Sequence, residues 1–356
     1  MPLHSPDGEA TDDVLSASWS HRPGYLDTAT YGRPPRQTVE SSHRVIDEWD
    51  EGAVLWTSWN DAADEARRSF AALVGVAAES VAVGPSTSSF VGLLAAGLPE
   101  SAEVLVPAGD FTSLVFPFLV QTARGVHVRE VPLEALADSV GPRTTLVAWS
   151  AVQSGDGRIA DNDAVLDAAR DVGALTVVDA TQAAGWLPLP LDRLDATVCS
   201  AYKWLCCPRG TGFAVASARI LDEFLPHAAS WFAADEMHAG YYGTPLRLAN
   251  DARRFDVSPA WFAWVGAVSS LGALAEVGIE AIHDHDVRLA DGLRAELGVE
   301  ATGSAIVSVG GEDLEQSLAA RGIKAATRAN GCRLAFHLYN DDDDVAAAAT
   351  ALGRLG

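Results

Sequence analysis

Lysine is almost missing from this chain. Of its 25 basic residues only Lys203 and Lys324 are lysine, and the rest are arginine. Cysteine is scarce too. Cys199, Cys206, Cys207 and Cys332 in 356 residues, with no CxxC pair, exclude a disulfide scaffold and point to reduced, buried thiols of a cytoplasmic protein. No run approaches the ~18 apolar residues that cross a membrane. The N-terminus "MPLHSPDGEATDD" lacks the basic and apolar regions of a signal peptide. Positive charge is in deficit, with a formal net charge of −23. Such a surface repels nucleic acid and anionic membranes, so neither is an expected partner. No GK[ST] phosphate loop occurs, and no GxGxxG stands in a dinucleotide-binding context. Internal repeats and low-complexity tracts are absent as well.

What is present is a hydrophobic content of 48%, enough for a large core and, by length, for roughly two domains. Residues 1–20 read as a polar arm. Stretches of helical spacing (61–75, 88–98, 112–123, 161–173) then alternate with short apolar runs (80–84, 103–107, 125–131, 144–152, 174–180, 196–201, 210–217). That alternation predicts an α/β fold whose mainly parallel sheet is covered on both faces. After about residue 235 the texture changes to an aromatic-rich stretch at 258–278, a long helix at 279–297, short strands and an Ala-rich helix. The expected organisation is a large domain over 21–235 and a smaller α+β domain over 236–356. The acid run "DDDD" (341–344) reads as a cap of the last helix rather than a cation site. His283 and His285 stand at a spacing that does not share a helix face, so no metal is expected there.

Ligands of parallel sheets sit at the carboxyl ends of strands. "GPSTSSF" follows one strand and opens a helix. Its hydroxyls and N–H groups suit either an anion or ordinary capping. "TVVDATQAAG" ends an apolar strand on Asp179, a carboxylate that needs a partner there. Lys203 follows another strand end in "CSAYKWLCCPRGTGF". Arginine stays charged at any accessible pH, whereas a buried lysine can lose its proton and act as a nucleophile. A lysine, a carboxylate and a phosphate-type loop on one sheet edge suit pyridoxal 5'-phosphate, which needs a Schiff-base lysine, a partner for its ring nitrogen and a phosphate cradle.

The stretch "VVDATQAAG…VCSAYKWLCCPRGTGF" resembles the cofactor region of the class V aminotransferase family. That family includes cysteine desulfurases, kynureninases and isopenicillin-epimerase-like enzymes. The resemblance runs from "YLDTATYGRPP" (25–35) to "CRLAFHLYN" (332–340). It implies the fold type I architecture of pyridoxal-phosphate enzymes and a homodimer that shares its active sites. It assigns Lys203 to the covalent link and proton transfer, Asp179 to the ring nitrogen and Gln182 to the ring hydroxyl. Thr87, Ser88, Ser200 and Tyr202 would hold phosphate, and Phe111 would stack on the ring. Gln153 or Ser154 would supply a further polar contact, and Arg333 would grip a substrate carboxylate. Trp56 and Trp59 are candidates for the pocket wall or the dimer seam.

Two departures stand out. Where the family commonly has a "GTPN"-like stretch whose Thr reaches the partner subunit's phosphate, this chain has Ser258 and Pro259. Where desulfurases carry a loop-tip cysteine, Cys332 abuts Arg333, so a persulfide relay is not expected. The expected function is a pyridoxal-phosphate enzyme acting on a small amino acid or amino compound, by preference an aminotransferase. A C–S or Cβ lyase, a desulfurase-like enzyme, an epimerase and a non-catalytic subunit of the same fold remain open.

Overall fold

The sheet that dominates the molecule has seven strands, in the spatial order β1 (Val81–Gly84), β7 (Gly212–Ala216), β6 (Ala196–Ser200), β5 (Leu175–Asp179), β4 (Thr144–Ser150), β2 (Glu103–Pro107) and β3 (His127–Val131). The computed structural model describes residues 18–353 apart from 21, 53, 312, 329 and 330. Most of the expected arm, residues 1–17, lies outside the described residues. Along the chain come α1 (Arg36–Glu51), α2 (Trp56–Val74), β1 (Val81–Gly84), α3 (Thr87–Gly97), β2 (Glu103–Pro107), α4 (Thr112–Leu119) and β3 (His127–Val131). These are followed by β4 (Thr144–Ser150), α5 (Asn162–Val172), β5 (Leu175–Asp179), β6 (Ala196–Ser200) and β7 (Gly212–Ala216). The last part holds α6 (Trp261–Val277), α7 (Ile279–Leu297), β8 (Ile306–Val309), β9 (Ala326–Arg328), β10 (Gly331–Ala335) and α8 (Asp342–Leu352).

Strands β2 to β6 run parallel, and β7 pairs antiparallel with both β6 and β1. The two reversals restore direction, so β1 ends on the same edge as the parallel strands. β5, β6 and β7 are buried at every position. That is why they read as unbroken apolar runs rather than alternating ones. One core layer holds Phe70, Trp149, Trp186 and Phe213, and the other holds Phe90, Leu114 and Phe118. Among the described residues no single helix is long and apolar enough to cross a membrane.

A second sheet, β8-β10-β9, is antiparallel and shares one apolar cluster with α7 and α8. The segment before α1 joins it, since Tyr25 bridges Lys324 and Asp27 bridges Ala335. The acid run caps α8 as expected: Asp341 accepts from the backbone N–H of Asp343 and Asp344. Asp344 also accepts from Gly24 N at 2.6 Å, tying the early chain to the last helix. His283 stacks on Trp186, and His285 bonds its neighbour Asp286. All four cysteines are free and buried.

β1 is an edge strand, and its unpaired side is closed by an ion pair. Arg67 on α2 donates to Val81 O at 2.6 Å and to Asp256 at 2.6 Å, while Asp256 accepts from Val83 N at 2.7 Å. Burial raises the Asp256 carboxyl to about 6 against the pull of Arg67. Arg67→Ala would strand that carboxylate and the Val81 carbonyl. A loss of about 3–5 kcal/mol is expected, seen as a lower midpoint in denaturant unfolding.

Candidate active site

The strand ends converge on one cleft, lined by Thr87, Phe111, Ser113, Ser150, Ser154, Asp179, Thr181, Gln182, Ser200, Tyr202 and Lys203. Thr87, Phe111, Asp179, Gln182, Ser200, Tyr202 and Lys203, all assigned from sequence, therefore meet from four separate segments, and Ser154 joins them from a fifth. Ser88 and Arg333 do not line the cleft.

Lys203 sits in the turn after β6 and is 5% exposed. Among the described residues its ammonium makes no ion pair. Its Nζ stands 5.3 Å from the centroid of the Phe111 ring and 6.0 Å from that of Tyr202. Burial lowers its pKa to about 8; Asp179 opposes this, and Arg333 and Arg328 add to it. The turn is clamped by the early chain. Gly32 N donates to Tyr202 O at 3.0 Å, and a Cβ at Gly32 would stand 1.8 Å from Lys203 O, so only glycine fits. From below, His337 bonds Asp286 at 2.8 Å and Trp204 O at 3.0 Å. Burial alone would neutralise that imidazole, but the Asp286 carboxylate wins and raises its pKa to about 10. His337 therefore stays charged and donates from both nitrogens. Nothing in "CRLAFHLYN" revealed this, because Asp286 lies 51 positions away.

Asp179 closes β5 and accepts from Thr181 N at 2.8 Å. Burial raises its carboxyl to about 6; the Thr181 bonds and Lys203 pull it down, and Asp110 pushes it up. Thr181, missed in the sequence, joins a hydroxyl cluster at the start of α3. Thr87 Oγ1 lies 2.8 Å from Thr181 Oγ1 and 3.0 Å from Ser200 Oγ, and Thr87 N donates to Ser200 Oγ at 3.0 Å. Ser86 makes no side-chain cap of α3; its hydroxyl bonds those of Ser88 and Ser89 instead. The uncapped helix start favours an anion over the capping alternative. Ser88 is exposed and turned toward Ser86.

Phe111 is 45% exposed, with one face open to the cleft. Asp110 fixes it from behind, accepting from Phe111 N at 2.6 Å, Ser150 N at 2.9 Å, Ser150 Oγ and Gln153 Nε2 at 3.2 Å. Gln153 is thus buried beneath the cleft, whereas Ser154 faces it. Gln182 donates to Ser154 Oγ at 3.0 Å and to Ala29 O at 2.9 Å, and accepts from Trp204 Nε1 at 2.8 Å. Of these partners Ser154 is the one exposed to the cleft. Tyr202 stacks on Tyr31 at 5.6 Å, with Arg209 over its ring at 4.7 Å. Arg333 lies on β10, 1% exposed, donating to Ser154 O and to Thr30 Oγ1 at 2.7 Å. Trp56 stacks on Trp261 at 5.5 Å, and Trp59 meets Phe262 edge-on at 5.1 Å, both away from the cleft. Ser258 is exposed just before α6.

Residues 53–305 match the family model described as aminotransferase class-V. An aminotransferase of Bacillus subtilis, itself described as uncharacterised, is 26% identical over 329 residues, covering 85% of this chain and 87% of its own. Isopenicillin N epimerase of Streptomyces clavuligerus is 29% identical over 304 residues, covering 76% and 73%. A probable cysteine desulfurase of Methanothermobacter thermautotrophicus is 26% identical over 296 residues, covering 76% and 71%. Among solved structures, the cystine C-S lyase C-DES with its product cysteine persulfide superposes with TM-score 0.83 at 19% identity, covering 93% of this chain and 97% of that one. The cysteine desulfurase CsdA of Escherichia coli gives 0.82 at 18%, covering 98% of each. At these identities the structures speak to the fold alone, which is fold type I.

Proposed function

This chain belongs to the aminotransferase class-V family, whose cofactor is pyridoxal 5'-phosphate, and from that premise we propose that it is an aminotransferase of small amino acids. The residues present fit the cofactor. Asp179 is a buried carboxylate with one backbone N–H partner and, among the described residues, no ion pair within 4.0 Å. A protonated ring nitrogen is the partner its charge calls for. Phe111 offers an open ring face of the kind stacking needs. Thr87, Thr181, Ser200 and the first turn of α3 would hold the phosphate, and Gln182 with Ser154 would meet the ring oxygen. Bound there, the cofactor supplies an aldehyde for the substrate amine and a pyridinium that draws electrons from the substrate Cα.

The observation that carries the reaction type is the cleft's single base. Besides Asp179 and Lys203 it is lined by hydroxyls, an amide and aromatic rings, with Tyr202 the one further titratable group. Burial raises the Tyr202 hydroxyl above its ordinary pKa, so it is a poor acid at neutral pH. Lys203 Nζ would take the proton from the substrate Cα and hold it on that same face for redelivery, so one base suffices for the proton transfers of transamination. Epimerisation needs a donor on the opposite face. Persulfide chemistry needs a reactive thiol, yet burial pushes Cys332 to about 11 and Cys199 and Cys207 upward as well.

We also propose a homodimer in a reducing compartment such as the cytoplasm. Val39, Ile46 and Trp49 form an exposed apolar stripe on α1, and Leu55 follows it. Ser258, exposed just before α6, would be the residue to reach the partner subunit in that dimer.

The reading is tested by the absorption spectrum of the purified protein during addition of amino acids. A yellow protein that bleaches with an amino acid and recovers with a keto acid is expected. A protein that stays yellow while releasing keto acid or sulfide would replace this reading with a lyase, and a colourless protein that takes up no cofactor would remove it.

A further inference from the structure

Two arginines meet beside the cleft, and the family resemblance assigns a role to one of them, Arg333. In the β9–β10 ladder Arg328 lies opposite Gly331, and Arg333 opposite Ala326. Residues 331 and 333 share one face of β10, so Arg328 and Arg333 are diagonal neighbours on that face. Gly331, between them, carries no side chain to separate them. Both guanidinium groups close on one oxygen: Thr30 Oγ1 accepts from Arg333 Nη2 at 2.7 Å and from Arg328 Nη2 at 3.0 Å.

A neutral hydroxyl does not balance two cations. Arg328 gives its other bond to Thr327 O at 2.7 Å and makes no ion pair among the described residues. The carboxylate nearest Arg333 is Asp27, at 4.0 Å. Arg333 Nε and Asp27 Oδ1 are both buried without a hydrogen-bond partner. Burial lowers the Arg333 pKa to about 10; Arg328 repels it further, and Asp27 only partly offsets this. Both arginines also act on the Lys203 ammonium, so their field falls on the reacting centre. In a chain of net charge −23, two guanidinium groups that converge on one neutral hydroxyl, with one carboxylate 4.0 Å from Arg333, favour an anion. One guanidinium fork matches one carboxylate. Two forks, one buried and one half-exposed, match two.

We propose that Arg328, with Arg333, forms a two-arginine subsite for an acidic substrate. One carboxylate goes to each arginine, so the amino donor is of the aspartate or glutamate type and the acceptor a dicarboxylic keto acid. The amino-acid assignment rests on the aminotransferase reading, whereas the anion subsite does not.

The test is calorimetric titration of the holoprotein with glutarate, which has two carboxylates and no amine, against butyrate, which has one. Glutarate is expected to bind roughly tenfold tighter or more, and salt should weaken it. Arg328→Ala and Arg328→Gln should remove that advantage while leaving butyrate binding and the melting midpoint unchanged, and Arg328→Lys should restore part of it. Equal binding of glutarate by wild type and Arg328→Ala, or no preference for glutarate over butyrate, would overturn the proposal. A spectral titration with L-glutamate and L-glutamine separates the two readings. Arg328-dependent glutarate binding without any amino-acid-induced bleaching keeps the subsite and removes the aminotransferase. Bleaching with glutarate binding indifferent to Arg328 does the reverse.

Discussion

Lys203→Ala should lower kcat/KM by on the order of 10³–10⁴-fold, and Lys203→Arg by a similar factor. The two variants together separate chemistry from charge. Arginine keeps a cation beside the aromatic faces but cannot form the covalent link or give up a proton at neutral pH. Borohydride treatment should trap the cofactor on wild type and on neither variant. A trapped adduct on Lys203→Ala would move the link to another residue. The substitution should not unfold the protein. With its pKa lowered from 10.5 to about 8, the lysine contributes stability above pH 10.5 that is lost as pH falls through about 8. At pH 7 the fold therefore carries an unfavourable buried cation, and removing it relieves that cost. Thermal melts of the two apoproteins at pH 7 check this.

Asp179→Asn is the second large effect, and it has opposite signs for activity and stability. Asparagine keeps an oxygen for Thr181 N but cannot hold a protonated ring nitrogen, so kcat should fall by about 10²–10⁴-fold. The apoprotein should gain stability at pH 8. The folded carboxyl pKa is raised from 3.8 to about 6 by burial, so Asp179 favours the fold below pH 3.8, and that contribution is lost as pH rises through about 6. A shift of this size corresponds to about 3 kcal/mol above that range, an upper bound on what asparagine can recover. Denaturant midpoints at pH 8 and pH 4 check it: the gain should be present at pH 8 and absent at pH 4. A variant destabilised equally at both would mean that the buried carboxylate is not strained by its setting.

Arg67 and Asp256 show how much of such a site is invisible in the chain. They are 189 positions apart, and each reads alone as an ordinary surface charge. The same holds for His337 with Asp286, and for Asp110, whose four bonds fix Phe111 and Ser150. No local pattern names a partner that only folding supplies. Thr181 left a fainter trace, standing two residues after Asp179, where a short loop bends its N–H onto the carboxylate. Arg333 was legible as a candidate, but its burial and its meeting with Arg328 were not, because both follow from the register of one hairpin. Ser88 was read with Thr87 as a pair, yet the turn into α3 directs one hydroxyl inward and the other to solvent.

By itself the sequence determined the alternation of strands and helices, and with it the sheet edge on which Asp179, Lys203 and the Thr87 loop stand. Periodicity and apolar runs are local properties, and the direction of a parallel strand follows from them. Tertiary structure alone decided the charge states and contacts at that edge: the lowered Lys203, the raised Asp179, the inward Arg333 and the arginine beside it. Those depend on burial and on charges brought from distant parts of the chain, and both act through space rather than along the sequence.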